Sequence, residues 1–181
     1  MNNPHQKLAR RAINHFLRHQ QILKPPADLP PDIRQQKAGA FVSLHQINGC
    51  LRGCIGTFLP TKKNLAEEII ANAVAAATQD PRFPPVRLEE LPDLDISVDA
   101  LAKPKIIKKH YQLTDPPPPI LNPKKYGLIV SVPDGRKGLL LPDIPGVNSA
   151  KNQIKICYQK AGISFQEAVN LSIFTVTRHQ S

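Results

Sequence analysis

Residues 38–58, AGAFVSLHQINGCLRGCIGTF, decide the fold. From Ala38 to Ile47 apolar and polar residues alternate, which is typical of a strand with one buried face. Asn48-Gly49 is a strong signal for a two-residue hairpin loop, so a partner strand is predicted from about Cys50 to Phe58. Side chains alternate between the two faces of a strand. One face is then predicted to carry Leu51, Gly53 and Ile55, and the other Cys50, Arg52, Cys54 and Gly56.

Helical and extended patterns surround this hairpin. Helices are predicted from Pro4 to about Leu23 with Asn3 as N-cap, over 62–78 with Thr61 as N-cap, and over 150–161 with Gly162 at the end. Further strands are predicted over 95–101 and 171–177, with a second hairpin of 126–132 and 138–141 about Asp134-Gly135. Antiparallel hairpins with helices between them predict an α+β fold, an antiparallel sheet flanked by helices.

Length and composition suggest one domain spanning residues 1–181 and built in two lobes. No run of 18 apolar residues is present, so no membrane span is predicted. The N-terminal residues lack the apolar core of a secretory signal. Three cysteines, an odd number, suit a reducing compartment better than a disulfide framework. We therefore expect a cytoplasmic protein.

The chain is strongly basic, with a net charge of +10 and a pI near 9.7. Its densest basic stretch runs from Lys103 to His110 and raises the possibility of nucleic-acid binding. Aromatic side chains for base stacking are nearly absent there, since only Tyr111 is adjacent. We interpret the stretch as a solvated face, with nucleic-acid binding as an alternative.

The cysteine run predicts a thiol-centred site. Arg52 and Cys54, on one face of a regular strand, lie about 7 Å apart at the backbone, so the guanidinium is predicted to favour the thiolate. A nucleophilic cysteine normally needs a base, and His45 is the candidate because the expected register pairs it with Arg52. Gly53 and Gly56 open backbone amides that could hold an anion. The alternative is that Cys54 is a small buried residue and His45 a surface residue. Cysteine and histidine spacing predicts no metal or cofactor.

Several segments resemble the AMMECR family, whose prokaryotic members are called AmmeMemoRadiSam system protein A. The resemblance rests above all on Leu51-Arg52-Gly53-Cys54-Ile55-Gly56-Thr57-Phe58. It continues through 80–86, 89–92, 127–130, 138–142 and 160–162. The sequence departs from the family pattern at 143–148, where relatives commonly carry an acidic stretch and a tryptophan.

The family resemblance implies a two-lobed α+β fold in which residues 51–58, the family signature, line a cleft. It implies no established reaction. It also implies association with Memo-type and radical-SAM proteins. The site residues that it implies are Arg52, Gly53, Cys54, Gly56, Thr57, Asp80, Arg82 and Phe83.

Two functions stay open at this stage. In the first, Cys54 and Arg52 form a cleft that binds or acts on a small anionic molecule or a modified peptide. In the second, the chain is a non-catalytic adaptor for a Memo-type or radical-SAM partner. Whether the protein is an enzyme is not decided by the sequence.

Overall fold

The computed structural model describes residues 3–179, which form two compact units. One contains the described residues up to Leu101 together with Thr177 to His179, and the other is Ala102–Val176. Each unit has a four-stranded antiparallel sheet and its own apolar core. The predicted α+β class, with antiparallel sheets and helices, is confirmed.

The first unit is a helix-covered sheet. Its helices are α1 (Pro4–His19), α2 (Pro31–Gln35), α3 (Leu65–Thr78) and a short 3-10 helix (Leu88–Asp93). Its strands are β1 (Gly39–Gln46), β2 (Leu51–Thr57), β3 (Leu94–Leu101) and β8 (Val176–His179), in the order β2-β1-β3-β8. The core joins α1 and α3 to the sheet face that carries Ala40, Val42 and Leu44, all fully buried. Because β2 is an edge strand, its outer backbone groups need partners from outside the sheet.

The second unit pairs a sheet with one long helix. Its strands are β4 (Lys105–Tyr111), β5 (Gly127–Ser131), β6 (Lys137–Leu140) and β7 (Val169–Phe174), in the order β4-β7-β5-β6. Helix α4 (Ala150–Ala161) begins at the Ser149 cap and ends at Gly162, which is left-handed with φ 63°, as predicted. Ile154 and Tyr158 of α4 are fully buried in this core with Leu128 and Leu171.

Two helix boundaries differ from the prediction. Helix α1 ends at His19, earlier than Leu23, because Gln20 is already left-handed with φ 54°. Helix α3 begins at Leu65 and not at Lys62, since its N-cap is Asn64, whose side chain accepts from the amide of Glu67. Thr61, the predicted cap, donates to Glu68 instead.

Two strand predictions also need correction. The basic stretch, which was interpreted as a solvated face, also forms an edge strand, β4, that was not predicted. The predicted last strand, 171–177, is divided at Thr175 into β7 and β8, which belong to different sheets. The second hairpin is confirmed as β5 and β6. Across residues 3–179, no helix combines the length and apolar character needed to cross a membrane.

Candidate functional site

The hairpin between β1 and β2 has a three-residue loop instead of the predicted two-residue loop. Gln46 donates from its amide to the carbonyl of Cys50 at 2.8 Å, and Gly49 donates to the carbonyl of Gln46 at 2.8 Å. Gly49 has φ 82°, a conformation that favours glycine and suits the last position of such a loop. Next to the loop, His45 therefore pairs with Leu51 and not with Arg52.

A bulge at Arg52 changes the register again. Leu44 pairs with Gly53 and His45 with Leu51, so Arg52 has no residue opposite it on β1. A bulge inserts one extra residue and turns its side chain away from the regular pleat. The predicted alternation along β2 is therefore interrupted at Arg52.

The Arg52 side chain is buried and anchors the segment that leads into the 3-10 helix. Its Nε and Nη2 donate to the two carboxylate oxygens of Glu90 at 2.9 and 3.1 Å. Its Nη1 and Nη2 donate to the carbonyls of Pro84 at 2.9 Å and Pro85 at 3.4 Å. The hydrogen bond from Arg52 lowers the pKa of Glu90 below its ordinary value. The prediction that this guanidinium turns towards the Cys54 sulfur is therefore wrong.

Cys54 lies on the face of β2 that points away from α3, and it is half-buried. It pairs directly with Ser43, whose Oγ donates to the Cys54 Sγ at 3.2 Å. The amide of Cys54 points out of the sheet edge and donates to Asp80 Oδ2 at 2.8 Å. Its carbonyl accepts a longer bond from Arg82 Nη2 at 3.4 Å. The side chains of Asp80 and Arg82 thus hydrogen-bond to the outer backbone groups of β2 at Cys54.

Asp80 and Arg82 form one clamp beside this thiol. Asp80 is 4% exposed and accepts from the Arg82 backbone amide, Nε and Nη2 at 3.1, 2.9 and 2.7 Å. These bonds, first those from the Arg82 side chain, hold the pKa of Asp80 far below its ordinary value. The Arg82 side chain remains 54% exposed and lies 5.4 Å from the ring centre of Phe83. Asp80 raises the pKa of Arg82, and Cys54 adds to that rise.

The two glycines of the signature allow close packing. A Cβ at Gly53 would lie 2.2 Å from the carbonyl oxygen of Ala76 in α3. A Cβ at Gly56 would lie 2.3 Å from the ring of Phe41. Glycine occupies these two positions because α3 lies close to β2 at Gly53 and the ring of Phe41 lies close to it at Gly56.

Thr57 ends β2 on a buried carboxylate. Its Oγ1 donates to Glu68 at 2.5 Å, and Thr61 and Lys62 donate their amides to the same carboxylate at 2.8 Å. Burial works to raise the pKa of Glu68, but these hydrogen bonds hold it below the ordinary value. Thr57 thus fixes the connection between β2 and α3.

His45 is half-buried on β1, two residues from Ser43 and therefore on the same face. It pairs with Asp95 of β3 as well as with Leu51 of β2. Within the part of the chain that the structure describes, no hydrogen bond joins the His45 ring to Cys54. Among those same residues, no group of three or more His, Cys, Asp or Glu is arranged to hold a metal ion.

Sequence reasoning missed three residues of this region. Ser43 could have been found, because the predicted register already placed it opposite Cys54. The strand pattern carries no such signal for Glu90, which is 38 residues from Arg52, or for Glu68, which lies on the next helix, 11 residues from Thr57.

Comparison with known proteins supports the α+β fold. The AMMECR1 family model matches residues 6–180. A protein of Thermotoga maritima is 46% identical over 179 residues, with 98% of each chain covered. Protein CA_C1420 of Clostridium acetobutylicum is 42% identical over 180 residues, which are 98% of this chain but 36% of the clostridial protein. The crystal structure of the uncharacterized protein PH0010 from Pyrococcus horikoshii aligns with a TM-score of 0.83 at 33% identity, covering 96% of this chain and 88% of that one.

The chain therefore belongs to the AMMECR1 family.

Proposed function

We propose that the Cys54 face of the first unit binds a small anionic molecule, or a modified peptide that carries an anionic group. Arg82 supplies the cation in this proposal. The observation that supports it is the shared carboxylate of Asp80, which accepts from Arg82 Nη2 at 2.7 Å and from the Cys54 amide at 2.8 Å. A half-exposed guanidinium is thereby held beside a half-buried thiol.

Each neighbour of Cys54 has a defined part in this proposal. Ser43 donates to the sulfur and so stabilises negative charge that develops there. Arg52 is a positioning residue, because its hydrogen bonds to Pro84, Pro85 and Glu90 hold the chain that follows the Asp80–Arg82 clamp. Cys54 is the group that contacts the bound ligand or reacts with it.

Paired alkylating reagents test whether Arg82 acts on an anion at this thiol. Iodoacetate and iodoacetamide carry the same reactive carbon, but only iodoacetate is anionic. The ratio of their rates at Cys54, read by mass spectrometry of the labelled peptide, reports the local cation. Arg82→Gln is expected to lower this ratio about two- to fivefold, the worth of an exposed ion pair of roughly 0.4–1 kcal/mol.

Two controls accompany the alkylation assay. Cys50 is exposed and provides an internal reference in the same sample. Arg18→Gln removes an equally charged side chain from the far end of α1 and is expected to leave the ratio unchanged. A ratio at Cys54 that does not respond to Arg82→Gln, or that falls equally with Arg18→Gln, would contradict the proposal.

A second candidate function is the non-catalytic adaptor. It is favoured by the length of the clostridial relative, of which the matching region makes up 36%. A domain that occurs within a longer chain is suited to working beside another domain. By family association, the partners proposed for this chain are a Memo-type protein and a radical-SAM protein.

Size-exclusion chromatography with a purified Memo-type or radical-SAM protein tests the adaptor function. A complex that forms equally with wild type and with Cys54→Ser favours an adaptor. Absence of any complex, together with a substrate turnover that Cys54→Ser abolishes, would reject the adaptor and leave the thiol-centred function.

A further inference from the structure

A cavity of about 670 Å³ runs along α3 in the first unit, and neither Cys54 nor Arg82 lines it. Its floor is apolar and consists of Ile70, Ala71, Val74 and Ala75. The connection after α1, residues 22–25, forms one wall, and Thr61-Lys62 forms another. Small-molecule sites typically have volumes of roughly 300–1,000 Å³ and mostly apolar linings with a few polar groups. The cavity has the size and composition of such a site.

The local sequence explains why this space is open. Ala71 and Ala75 are one helical turn apart on α3, so two small side chains face the same opening. Opposite them, Pro25 and Pro26 keep the chain extended. Lys62 is held in place because its amide donates to the buried carboxylate of Glu68 at 2.8 Å. The walls are therefore fixed by the fold before any ligand enters.

The polar groups of the cavity are of two kinds. Lys24 and Lys62 are cations, and neither forms an ion pair with any residue from 3 to 179. Glu67 contributes a carboxylate. Asn72 contributes a carbonyl oxygen from a side chain that is only 5% exposed.

Asn72 provides one hydrogen-bond acceptor at the cavity. Its Nδ2 donates to the carbonyl of Ala40 at 3.0 Å and to Thr57 Oγ1 at 3.2 Å. Its Oδ1 receives no hydrogen bond from the part of the chain that the structure describes. Because Asn72 lines the cavity, this oxygen is an acceptor that a ligand with a donor group can pair with.

We propose that this cavity binds a free α-amino acid with an apolar side chain. The carboxylate of the ligand pairs with Lys24 and Lys62. Its ammonium group donates to Glu67 and to Asn72 Oδ1, and its side chain packs on the apolar floor of α3. The proposal is independent of the function assigned to Cys54.

Three matched probes test the proposal with the full chain. L-Leucine carries both charges, 4-methylpentanoate lacks the ammonium group, and 3-methylbutylamine lacks the carboxylate. Binding is measured by calorimetry and by amide chemical shifts. Leucine is expected to bind at least about tenfold more tightly than either analogue, because each analogue leaves charged groups of the site unpaired.

Variants of the charged residues show which of them pairs with the carboxylate of the ligand and which pairs with its ammonium group. Lys62→Gln is expected to weaken leucine and 4-methylpentanoate about two- to fivefold and to leave 3-methylbutylamine unchanged. Glu67→Gln is expected to weaken leucine and 3-methylbutylamine and to leave 4-methylpentanoate unchanged. Ala75→Leu fills the cavity and is expected to abolish leucine binding, with thermal unfolding as the check on its fold.

Lys63→Gln is the matched control, because Lys63 is exposed, adjacent in sequence and outside the cavity lining. It is expected to bind leucine like wild type. The proposal fails if millimolar leucine shifts no amides of α3 or residues 22–25. It also fails if Lys63→Gln weakens binding as much as Lys62→Gln, or if Ala75→Leu folds and still binds leucine.

Discussion

Replacing Arg52 tests whether its side chain holds residues 84–90 in place or acts as a cation at the Cys54 sulfur. Its side chain is 10% exposed and makes two charge-assisted hydrogen bonds to Glu90, whose side chain is 33% exposed. Two more bonds reach the carbonyls of Pro84 and Pro85. All four bonds are lost in Arg52→Met.

The expected cost of Arg52→Met follows from this burial. Removing one partner of a fully buried pair costs about 3–5 kcal/mol, and an exposed pair contributes about 0–1 kcal/mol. Because Glu90 is a third open to water, we expect the free energy of unfolding to fall by about 2–3 kcal/mol. Arg52→Lys is expected to cost about 1–2 kcal/mol, since an ammonium cannot reproduce the bidentate contact.

Two measurements on the same variants decide whether Arg52 holds residues 84–90 in place or supplies positive charge near the Cys54 sulfur. Urea unfolding followed by circular dichroism gives the stability, and Arg18→Lys is the control with an expected change below about 0.5 kcal/mol. The iodoacetate to iodoacetamide ratio at Cys54 gives the charge near the sulfur. Nearly unchanged stability in Arg52→Met, with a ratio lowered as much as by Arg82→Gln, would refute the anchor.

The remaining predictions concern packing and titration. Gly53→Ala is expected to destabilise the first unit by about 1–3 kcal/mol in thermal unfolding, because the new Cβ would meet the carbonyl of Ala76; unchanged stability would contradict this packing. Burial and the adjacent His179 lower the pKa of His5 to about 4, below its unfolded value of about 6.5. The free energy of unfolding is therefore expected to fall by about 3 kcal/mol as the pH drops from ~6.5 towards 4, because the unfolded chain takes up the proton first. His5→Phe should reduce that dependence in a series of unfolding curves, and the remainder is assigned to His179, whose pKa is also lowered by burial. Burial raises the pKa of Cys157 to about 12, so native protein at pH 8 should be alkylated at Cys50 and Cys54 and not at Cys157.

The hairpin shows why alternation along a strand can predict which residues pair but not where a bulged side chain points. The loop contains one residue more than predicted, which shifts the register next to it, and the bulge at Arg52 shifts the register back. The two deviations cancel beyond the bulge, so Ser43 opposite Cys54 was predictable from alternation alone. The direction of Arg52 was not predictable, because a bulge is stabilised by the tertiary partner Glu90.

Strand β4 has no apolar periodicity and was therefore also not predictable from the local sequence. β4 contains exposed Lys105, Lys108 and Lys109, and its extended conformation depends on pairing with β7. Lysines on an edge strand oppose pairing with other chains, which gives the basic stretch a structural explanation. By contrast, the Ser149 cap and Gly162 are local signals, and α4 was predicted with its observed ends.

The edge of β2 restricts the kind of ligand that fits the function proposed for the Cys54 face. An extended peptide joins a sheet by pairing with free backbone groups at an edge strand. At Cys54 the outward amide and carbonyl are already bonded to Asp80 and Arg82, so strand addition at this residue would require breaking the clamp. In the proposed function, recognition there would therefore come from side chains, above all the Arg82 guanidinium and the Cys54 thiol. This favours a small anion, or a single modified side chain of a peptide, over an extended main chain.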